Sequence, residues 1–125
     1  MIVAVGVDSV EIARIEALWQ RSGARFLQRI CSEREAAYCL ARNRPAESLA
    51  ARFCAKEAVM KCLGTGWADG LAFRQIEVVR DAAGAVRNHL SGTAAARAAA
   101  LGMRRLHVSL THTQTLATAF VVAEA

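Results

Sequence analysis

The segment from Pro45 to Gly64 constrains the fold most strongly, because it has the composition and the end signals of one long helix. Its second half is dominated by Ala, Leu, Met, Lys and Glu, which are good helix formers. Proline suits the first turn of a helix, and glycine suits the position after its last turn. Phe53, Glu57 and Lys61 are four residues apart, so they share one stripe. A stripe that mixes an aromatic ring, a carboxylate and an ammonium group is typical neither of a core nor of a solvent face, although a surface Glu–Lys pair would also produce it.

Length and composition predict one ordered domain over residues 1–125. The chain is 54% hydrophobic and has a single proline, which is enough apolar material for a core and leaves no room for a long linker. No apolar run is long enough to cross a bilayer, so no membrane contact is expected. The apolar opening lacks basic residues and is interrupted by Asp8, so no secretion signal is expected.

The cysteines indicate a reducing compartment. There are four of them and none forms a C-x-x-C pair: Cys31, Cys39, Cys54 and Cys62. We therefore expect buried free thiols in a cytoplasmic protein rather than disulfides or a zinc site.

The charge balance favours an anionic partner. Sixteen Lys and Arg residues oppose eleven Asp and Glu residues, which gives a net charge of +5. Lys56 and Lys61 are the only lysines, so arginine, which binds phosphate and carboxylate in a bidentate manner, carries nearly all the positive charge. Such a chain suits a polyanion or an acidic protein.

The order of elements predicts an α+β fold with a mainly antiparallel sheet around the long central helix. A β-branched apolar run ends at Val7, and either Asp8 or Ser9 could cap the helix that follows. Ser32 and Glu35 form a capping box. The remaining predicted elements are a hairpin of 73–80 with 86–90, an alanine-rich helix after Ser91 that ends at Gly102, and strands at 106–110 and 117–123, joined by a polar turn at 111–115.

A basic segment follows the first strand. Arg14, Arg21, Arg25 and Arg29 alternate with apolar residues such as Phe26. Such charges are often no more than a solvated helix face. A basic face with apolar anchors is equally what docking to an acidic helix would need.

Two motifs resemble the signatures of the 4′-phosphopantetheinyl transferase family. The first is Gly6-Val7-Asp8 with Arg14 six residues after the aspartate. The second is Phe53-x-x-Lys56-Glu57-Ala58-x-x-Lys61. Further similar stretches cover essentially the whole chain: 25–27, 63–66, 90–94 and 108–112. The likeness is strongest to the short, stand-alone holo-acyl-carrier-protein synthase type.

The resemblance implies a 4′-phosphopantetheinyl transferase-like fold and a Mg²⁺-dependent reaction of fatty-acid biosynthesis. Enzymes of this family move 4′-phosphopantetheine from coenzyme A to a serine of an apo acyl carrier protein, and adenosine 3′,5′-bisphosphate leaves. The resemblance assigns Asp8 and Glu57 to the metal and Lys61 to the phosphates, all three being catalytic. These types suit the task, because Mg²⁺ takes carboxylate, phosphate and water oxygens, and an ammonium group can neutralise the leaving group. Lys56 is expected at the rim or against a partner subunit.

The resemblance also implies the binding residues. For coenzyme A they are Arg44, Arg52, Lys61, Gly64, Thr65, Gly66, Ser109, Thr111 and His112, with Arg44 and Arg52 for the 3′-phosphate and Arg42 in reserve. For the acidic carrier protein they are Arg14, Arg21, Arg25, Phe26 and Arg29. Members of the short type are trimers with sites between subunits, so a homotrimer is expected. This chain departs from the family at Thr111-His112-Thr113, where the family commonly has Ser-His and then an acidic or polar residue.

Two rival functions remain open at this stage. A small basic α+β domain could bind nucleic acid, but aromatic residues are only 6% of the chain, and the arginines alternate with carboxylates. A non-catalytic oligomerisation module would have no use for the strand-end aspartate and the helical Glu–Lys pair. No nucleic-acid partner is therefore expected.

Overall fold

The computed structural model describes residues 1–64 and 70–125. Thr65 and Gly66, both predicted to contact coenzyme A, lie outside the described residues. The elements in chain order are β1 (Ile2–Glu11), α1 (Ile12–Ser22), α2 (Ala24–Ile30), α3 (Glu33–Leu40), α4 (Pro45–Leu63), a 3-10 turn (Phe73–Gln75), β2 (Ile76–Arg80), β3 (Val86–Leu90), α5 (Gly92–Ala100), β4 (Arg105–His112) and β5 (Leu116–Glu124).

The described strands form two antiparallel sheets. The larger has the order β1-β5-β4, and β2 pairs with β3 as a hairpin. The predicted α+β class with a mainly antiparallel sheet is confirmed. The inner face of β5 carries small residues that are fully buried: Ala117, Ala119, Val121 and Ala123. Small side chains on this face leave room for a helix to pack closely on the sheet.

Helix α4 runs through the core, as predicted. Thirteen of its nineteen residues are buried, so almost every side of it contacts other elements. Pro45 occupies the first turn, and Gly64 ends the helix in the left-handed conformation, with φ 71°. The Sγ atoms of Cys54 and Cys62 lie 3.4 and 3.9 Å from carbonyl oxygens of β5, so the cysteine face of α4 packs on the sheet.

Gly6 sets the distance between β1 and α4. A Cβ atom at this position would lie 2.1 Å from the carbonyl oxygen of Ala58 and 3.1 Å from Sγ of Cys62. The oxygen belongs to the helix backbone, so it cannot move aside without moving α4. The glycine of the first motif therefore serves close packing, and this packing holds the neighbouring Asp8 against the helix.

We expect Gly6→Ala to lower the free energy of unfolding by about 3 kcal/mol, at the upper end of the range for overpacking, as measured by urea denaturation. Gly102→Ala is the control. Its φ of 75° is unsuited to alanine, whereas Gly6 has no positive φ, but a Cβ at Gly102 would meet no atom within 4 Å, so only about 1 kcal/mol of backbone strain is expected. Equal losses in the two variants would contradict the close-packing role of Gly6.

A buried ionic cluster joins α3, α4 and β2. The carboxylate of Glu35 accepts hydrogen bonds from Nζ of Lys56 at 2.6 Å and from the backbone N–H of Val78 at 2.9 Å. Nζ of Lys56 also donates to the carbonyl of Phe73 at 3.1 Å. Lys56 is fully buried. The expectation that it serves the rim or a partner subunit is therefore wrong, because its ammonium group is held inside one chain.

The ends of several elements differ from the prediction. Strand β1 continues to Glu11, where no side chain caps α1, so Asp8 lies within the strand and is neither its last residue nor a cap. Pairing with β5 extends along this whole stretch, which outweighs the local capping preference. Strand β4 likewise includes Thr111 and His112, which were assigned to the polar turn.

Other predictions are confirmed. Ser32 and Glu35 form the capping box at the start of α3, and all four cysteines are buried and free. Within the described residues, no helix is both long and apolar enough to span a membrane.

Candidate active site

Asp8 and Lys61 meet between β1 and α4. The Nζ atom of Lys61 lies 3.3 Å from Oδ1 of Asp8 and donates to the carbonyl of Val7 at 2.7 Å. Gly6 and Asp8 alternate with outward-facing valines, so the aspartate points to the side of the sheet that α4 covers. The side chains of Asp8 and Lys61 are 20% and 54% exposed, and the lysine can therefore reach a ligand in solvent.

Glu57 shares this space, one turn before Lys61. Burial raises the pKa of the Glu57 carboxyl, and the negative charge of Asp8 raises it further, while Lys61 and Arg14 act in the opposite direction. The repulsion between the two carboxylates would be relieved by a bound metal cation, because a cation stabilises the charged form of both groups. This acidic cluster, defined as Asp8, Glu57 and Lys61, confirms that the two motifs converge in space.

The residues fit a hard cation that is shared with a ligand. Within the described part of the chain, no three His, Cys, Asp or Glu side chains gather into a site that would hold a metal by themselves. Magnesium typically takes only one or two protein carboxylates and fills its other positions with phosphate oxygens and water. Asp8 and Glu57 match that requirement in number and in chemistry.

Arg14 connects the acidic cluster to helix α1. Its guanidinium lies 6.0 Å from the ring centroid of Phe53, the aromatic residue of the helical stripe, and its charge lowers the pKa of Glu57. Phe53 in turn packs against Phe73, with ring centroids 5.4 Å apart. The stripe of mixed chemistry is thus a set of contacts between α1, α4 and the 3-10 turn.

A basic pocket of about 900 Å³ opens at the other end of α4. We call it the arginine pocket, and the residues that line it are Tyr38, Ala41, Arg42, Asn43, Arg44, Glu47, Ser48, Ala51, Arg52, Arg80, Leu110, Thr111 and His112. Five residues predicted to bind coenzyme A therefore line the pocket, from α4, β4 and the loop before α4: Arg42, Arg44, Arg52, Thr111 and His112. Four arginines around one cavity favour a phosphate-bearing ligand.

Two of these arginines have their guanidinium groups over the ring of Tyr38. The guanidinium of Arg52 lies 4.4 Å from the Tyr38 ring centroid and that of Arg42 lies 5.4 Å from it. Arg52 is only 4% exposed, and its Nε is 4.0 Å from Oε2 of Glu35. The buried ionic cluster thereby fixes the arginine that forms the floor of the pocket.

The acidic cluster and the arginine pocket lie on different sides of α4. None of Asp8, Glu57, Lys61 and Arg14 lines the pocket. At 3.6 residues per turn, Arg52 lies about 140° around the helix from Glu57. Most residues of α4 between the two sides are buried in the core, so the acidic cluster and the arginine pocket are separate in one chain.

Other predicted ligands of coenzyme A lie outside the pocket. Ser109 is exposed and pairs with Phe120, on the outer face of the sheet. Gly64 ends α4, where a Cβ atom built on it would lie 4.0 Å from Nη2 of Arg97. Neither residue lines the arginine pocket.

The basic segment is only partly exposed. Arg14, Arg21, Arg25 and Arg29 are exposed on α1 and α2. Phe26, however, is 8% exposed and belongs to the core. The prediction that Phe26 is an apolar anchor for a partner is therefore wrong, because its ring already packs inside the chain.

Sequence reasoning missed several residues of the site. Arg80 and Tyr38 had no motif to mark them, because they enter the pocket from a hairpin and from another helix. Glu47 is an ordinary first-turn carboxylate of α4 by its position, although its spacing of three from Arg44 signals an ion pair. Glu35 was recognised as a cap, but its second role toward Lys56 depends on tertiary structure.

Comparison with known proteins agrees with these features. The sequence profile of the 4′-phosphopantetheinyl transferase superfamily matches residues 4–121. A holo-[acyl-carrier-protein] synthase of Nitratidesulfovibrio vulgaris (strain DP4) is 49% identical over 124 residues, which are 99% of either chain.

Solved structures agree as well. The crystal structure of holo-[acyl-carrier-protein] synthase from Neisseria meningitidis superposes with a TM-score of 0.89 at 34% identity, over all of both chains. That of the Helicobacter pylori enzyme in complex with coenzyme A superposes with a TM-score of 0.84 at 31% identity, over 96% of this chain and 99% of the other. The chain therefore belongs to the 4′-phosphopantetheinyl transferase superfamily, and within it to the holo-[acyl-carrier-protein] synthases.

Proposed function

We propose that this chain, acting as a single domain, transfers 4′-phosphopantetheine from coenzyme A to a serine of an apo acyl carrier protein and depends on Mg²⁺. Adenosine 3′,5′-bisphosphate is the second product. The observation that carries the proposal is the convergence of Asp8 and Lys61, 3.3 Å apart, with Glu57 from the same helix as Lys61. By family, the reaction serves fatty-acid biosynthesis in the cytoplasm.

The acidic cluster suits cleavage of a diphosphate. Asp8 and Glu57 would hold the magnesium ion, which would neutralise the charge of the diphosphate. Lys61, half exposed, turns its ammonium group from Val7 and Asp8 toward the phosphate that leaves. An interaction that strengthens as charge develops on the leaving oxygen lowers the barrier rather than the KM.

The arginine pocket suits the nucleotide end of coenzyme A. Its arginines and His112 offer donors for the 3′-phosphate, and Thr111 keeps the hydroxyl that the family has at this position. The guanidinium plane of Arg42, which lies over the Tyr38 ring, is a flat surface on which a purine can stack. The coenzyme A complex of the Helicobacter pylori relative supports this choice of ligand.

The homotrimer with active sites between subunits, which the family resemblance implies, is compatible with the separation of the acidic cluster from the arginine pocket. In such an assembly, one copy can bring its arginine pocket to the acidic cluster of its neighbour, so that a single coenzyme A contacts both. The outer face of the β1-β5-β4 sheet offers an apolar contact surface: Val3, Val5, Val7, Leu116 and Phe120 are 39–58% exposed. Such an unpartnered face is typical of an interface.

The carrier protein is expected to dock on the basic segment. Charge reversal at Arg21 should raise the KM for apo carrier protein at least about tenfold and leave the KM for coenzyme A unchanged, because exposed arginines steer an acidic partner and then pair with it. Steady-state kinetics at two salt concentrations provides the measurement. Arg87→Glu, exposed on β3, is the matched charge reversal away from α1. If both reversals act alike, net charge rather than a dock explains the effect.

The ligand test separates this proposal from nucleic-acid binding. Coenzyme A with Mg²⁺ should raise the melting temperature of the protein, as any ligand specific to the native state does. Single-stranded RNA of equal phosphate concentration is the comparison. Stabilisation by RNA and none by coenzyme A would overturn the proposal in favour of a nucleic-acid-binding domain.

A further inference from the structure

Glu47 lies against two basic side chains of the arginine pocket, Arg44 and His112. Among the lining residues that the structure describes, it is the one carboxylate beside four arginines. Its Oε2 accepts a hydrogen bond from Nη1 of Arg44 at 2.8 Å and lies 3.7 Å from Nδ1 of His112, which itself lies 3.2 Å from the carbonyl oxygen of Thr113. A single carboxylate oxygen thus faces the same two side chains that would bind a phosphate oxygen.

The exposure of these groups allows them to exchange partners. The side chains of Arg44 and His112 are 57% and 49% exposed, whereas that of Glu47 is 20% exposed. Exposed ion pairs are weak, so a phosphate with about two negative charges can displace one carboxylate. Arg52, by contrast, is packed against Tyr38 and Glu35 and stays in place.

We infer that Glu47 is an internal competitor for the nucleotide phosphate, and that it weakens the binding of coenzyme A and of the bisphosphate product alike. The inference rests on the proposed function, because it takes the arginine pocket as the nucleotide site. Substrate and product share the adenosine 3′,5′-bisphosphate group. A carboxylate that returns to Arg44 and His112 when the nucleotide dissociates therefore favours the release of product and opens the site to the next substrate.

The test is calorimetric titration with adenosine 3′,5′-bisphosphate. Glu47→Gln keeps the size of the side chain and removes its charge, and it should lower the Kd about fivefold, the scale of a partly exposed ion pair. Adenosine 5′-monophosphate, which lacks the 3′-phosphate, should bind the two proteins with equal affinity. Glu33→Gln is the matched control, since Glu33 is an exposed first-turn carboxylate of α3 outside the pocket, and it should change neither Kd.

A double-mutant cycle identifies the contact. Arg44→Gln should weaken bisphosphate binding, and in that background Glu47→Gln should give less tightening than in the wild type, because part of the competition has already been removed. A weaker or unchanged bisphosphate Kd in Glu47→Gln would overturn the inference, since an orienting carboxylate gives the first result and an uninvolved one gives the second. If the wild-type protein binds no bisphosphate, the proposed nucleotide site fails as well. If only the difference between the variants is missing, the proposed function stands.

Discussion

Glu35→Gln should lower the free energy of unfolding by about 3–5 kcal/mol, because it leaves the buried ammonium group of Lys56 without its carboxylate. Lys56 is fully buried, with its Nζ 2.6 Å from Glu35, and Arg52 is buried beside them. This loss is a large share of the stability expected of a domain of this size. Urea denaturation followed by circular dichroism measures it.

Glu77→Gln is the control for this prediction. Glu77 also pairs with an arginine, Arg34, and accepts a hydrogen bond from the hydroxyl of Ser32, but the Arg34 side chain is 66% exposed, so water solvates the guanidinium that loses its partner and a smaller loss of about 1–2 kcal/mol is expected. The reversed order of the two losses, or equal losses, would contradict a buried ionic cluster. Glu35→Leu combined with Lys56→Met should recover only part of the loss, because it removes the buried Glu–Lys pair together but leaves Arg52 and the backbone N–H of Val78 without the carboxylate that faces them.

Glu57→Gln should lower kcat by at least about 100-fold, since several kcal/mol of electrostatic stabilisation of the transition state would be lost. It should not destabilise the fold. Folding raises the pKa of Glu57, so the charged form at neutral pH is disfavoured in the native state, and neutral Gln removes that cost.

The pH dependence follows from the same shift. As the pH falls from neutral through the raised pKa of Glu57, its carboxyl takes up a proton in the native state. The wild-type protein is then no longer destabilised by the buried charge of Glu57. The gap in urea midpoint between Glu57→Gln and the wild type should therefore narrow as the pH falls from neutral toward 4.5, the ordinary pKa of a glutamate carboxyl. Glu16→Gln, an exposed substitution on α1, is the control. It should keep the turnover of the wild type, and its urea midpoint should differ from that of the wild type by the same amount at each pH. Near wild-type turnover of Glu57→Gln at limiting Mg²⁺ would show that Glu57 is not a metal ligand.

Much of the fold could be predicted from local signals. Pro45 and Gly64 mark the limits of α4, and the capping box of Ser32 marks the start of α3, because these preferences act within a few residues. The end of β1 could not be predicted in this way. Ser9 is a good cap by type, but pairing of the strand with β5 as far as Glu11 outweighs one capping hydrogen bond.

The residues of the candidate site also divide into those that sequence motifs predict and those that only the tertiary structure brings together. Asp8, Glu57 and Lys61 were predicted because two motifs point to them, and the structure brings their elements together. Lys56 belongs to the same motif and was misassigned, because motif letters do not show which side of a helix is buried. Phe26 was misassigned for the same reason. Arg80, Tyr38 and Glu47 come from separate elements, and their meeting is a consequence of tertiary structure alone.

The central claim is transfer of phosphopantetheine, and mass spectrometry of the acceptor tests it most directly. An apo acyl carrier protein is incubated with the wild-type chain, coenzyme A and Mg²⁺, with Glu57→Gln as a parallel sample. The account predicts that the carrier protein gains the mass of one phosphopantetheine group in the first sample and gains little or none in the second over the same time. A carrier protein that stays unmodified in the presence of a folded wild-type chain would contradict it.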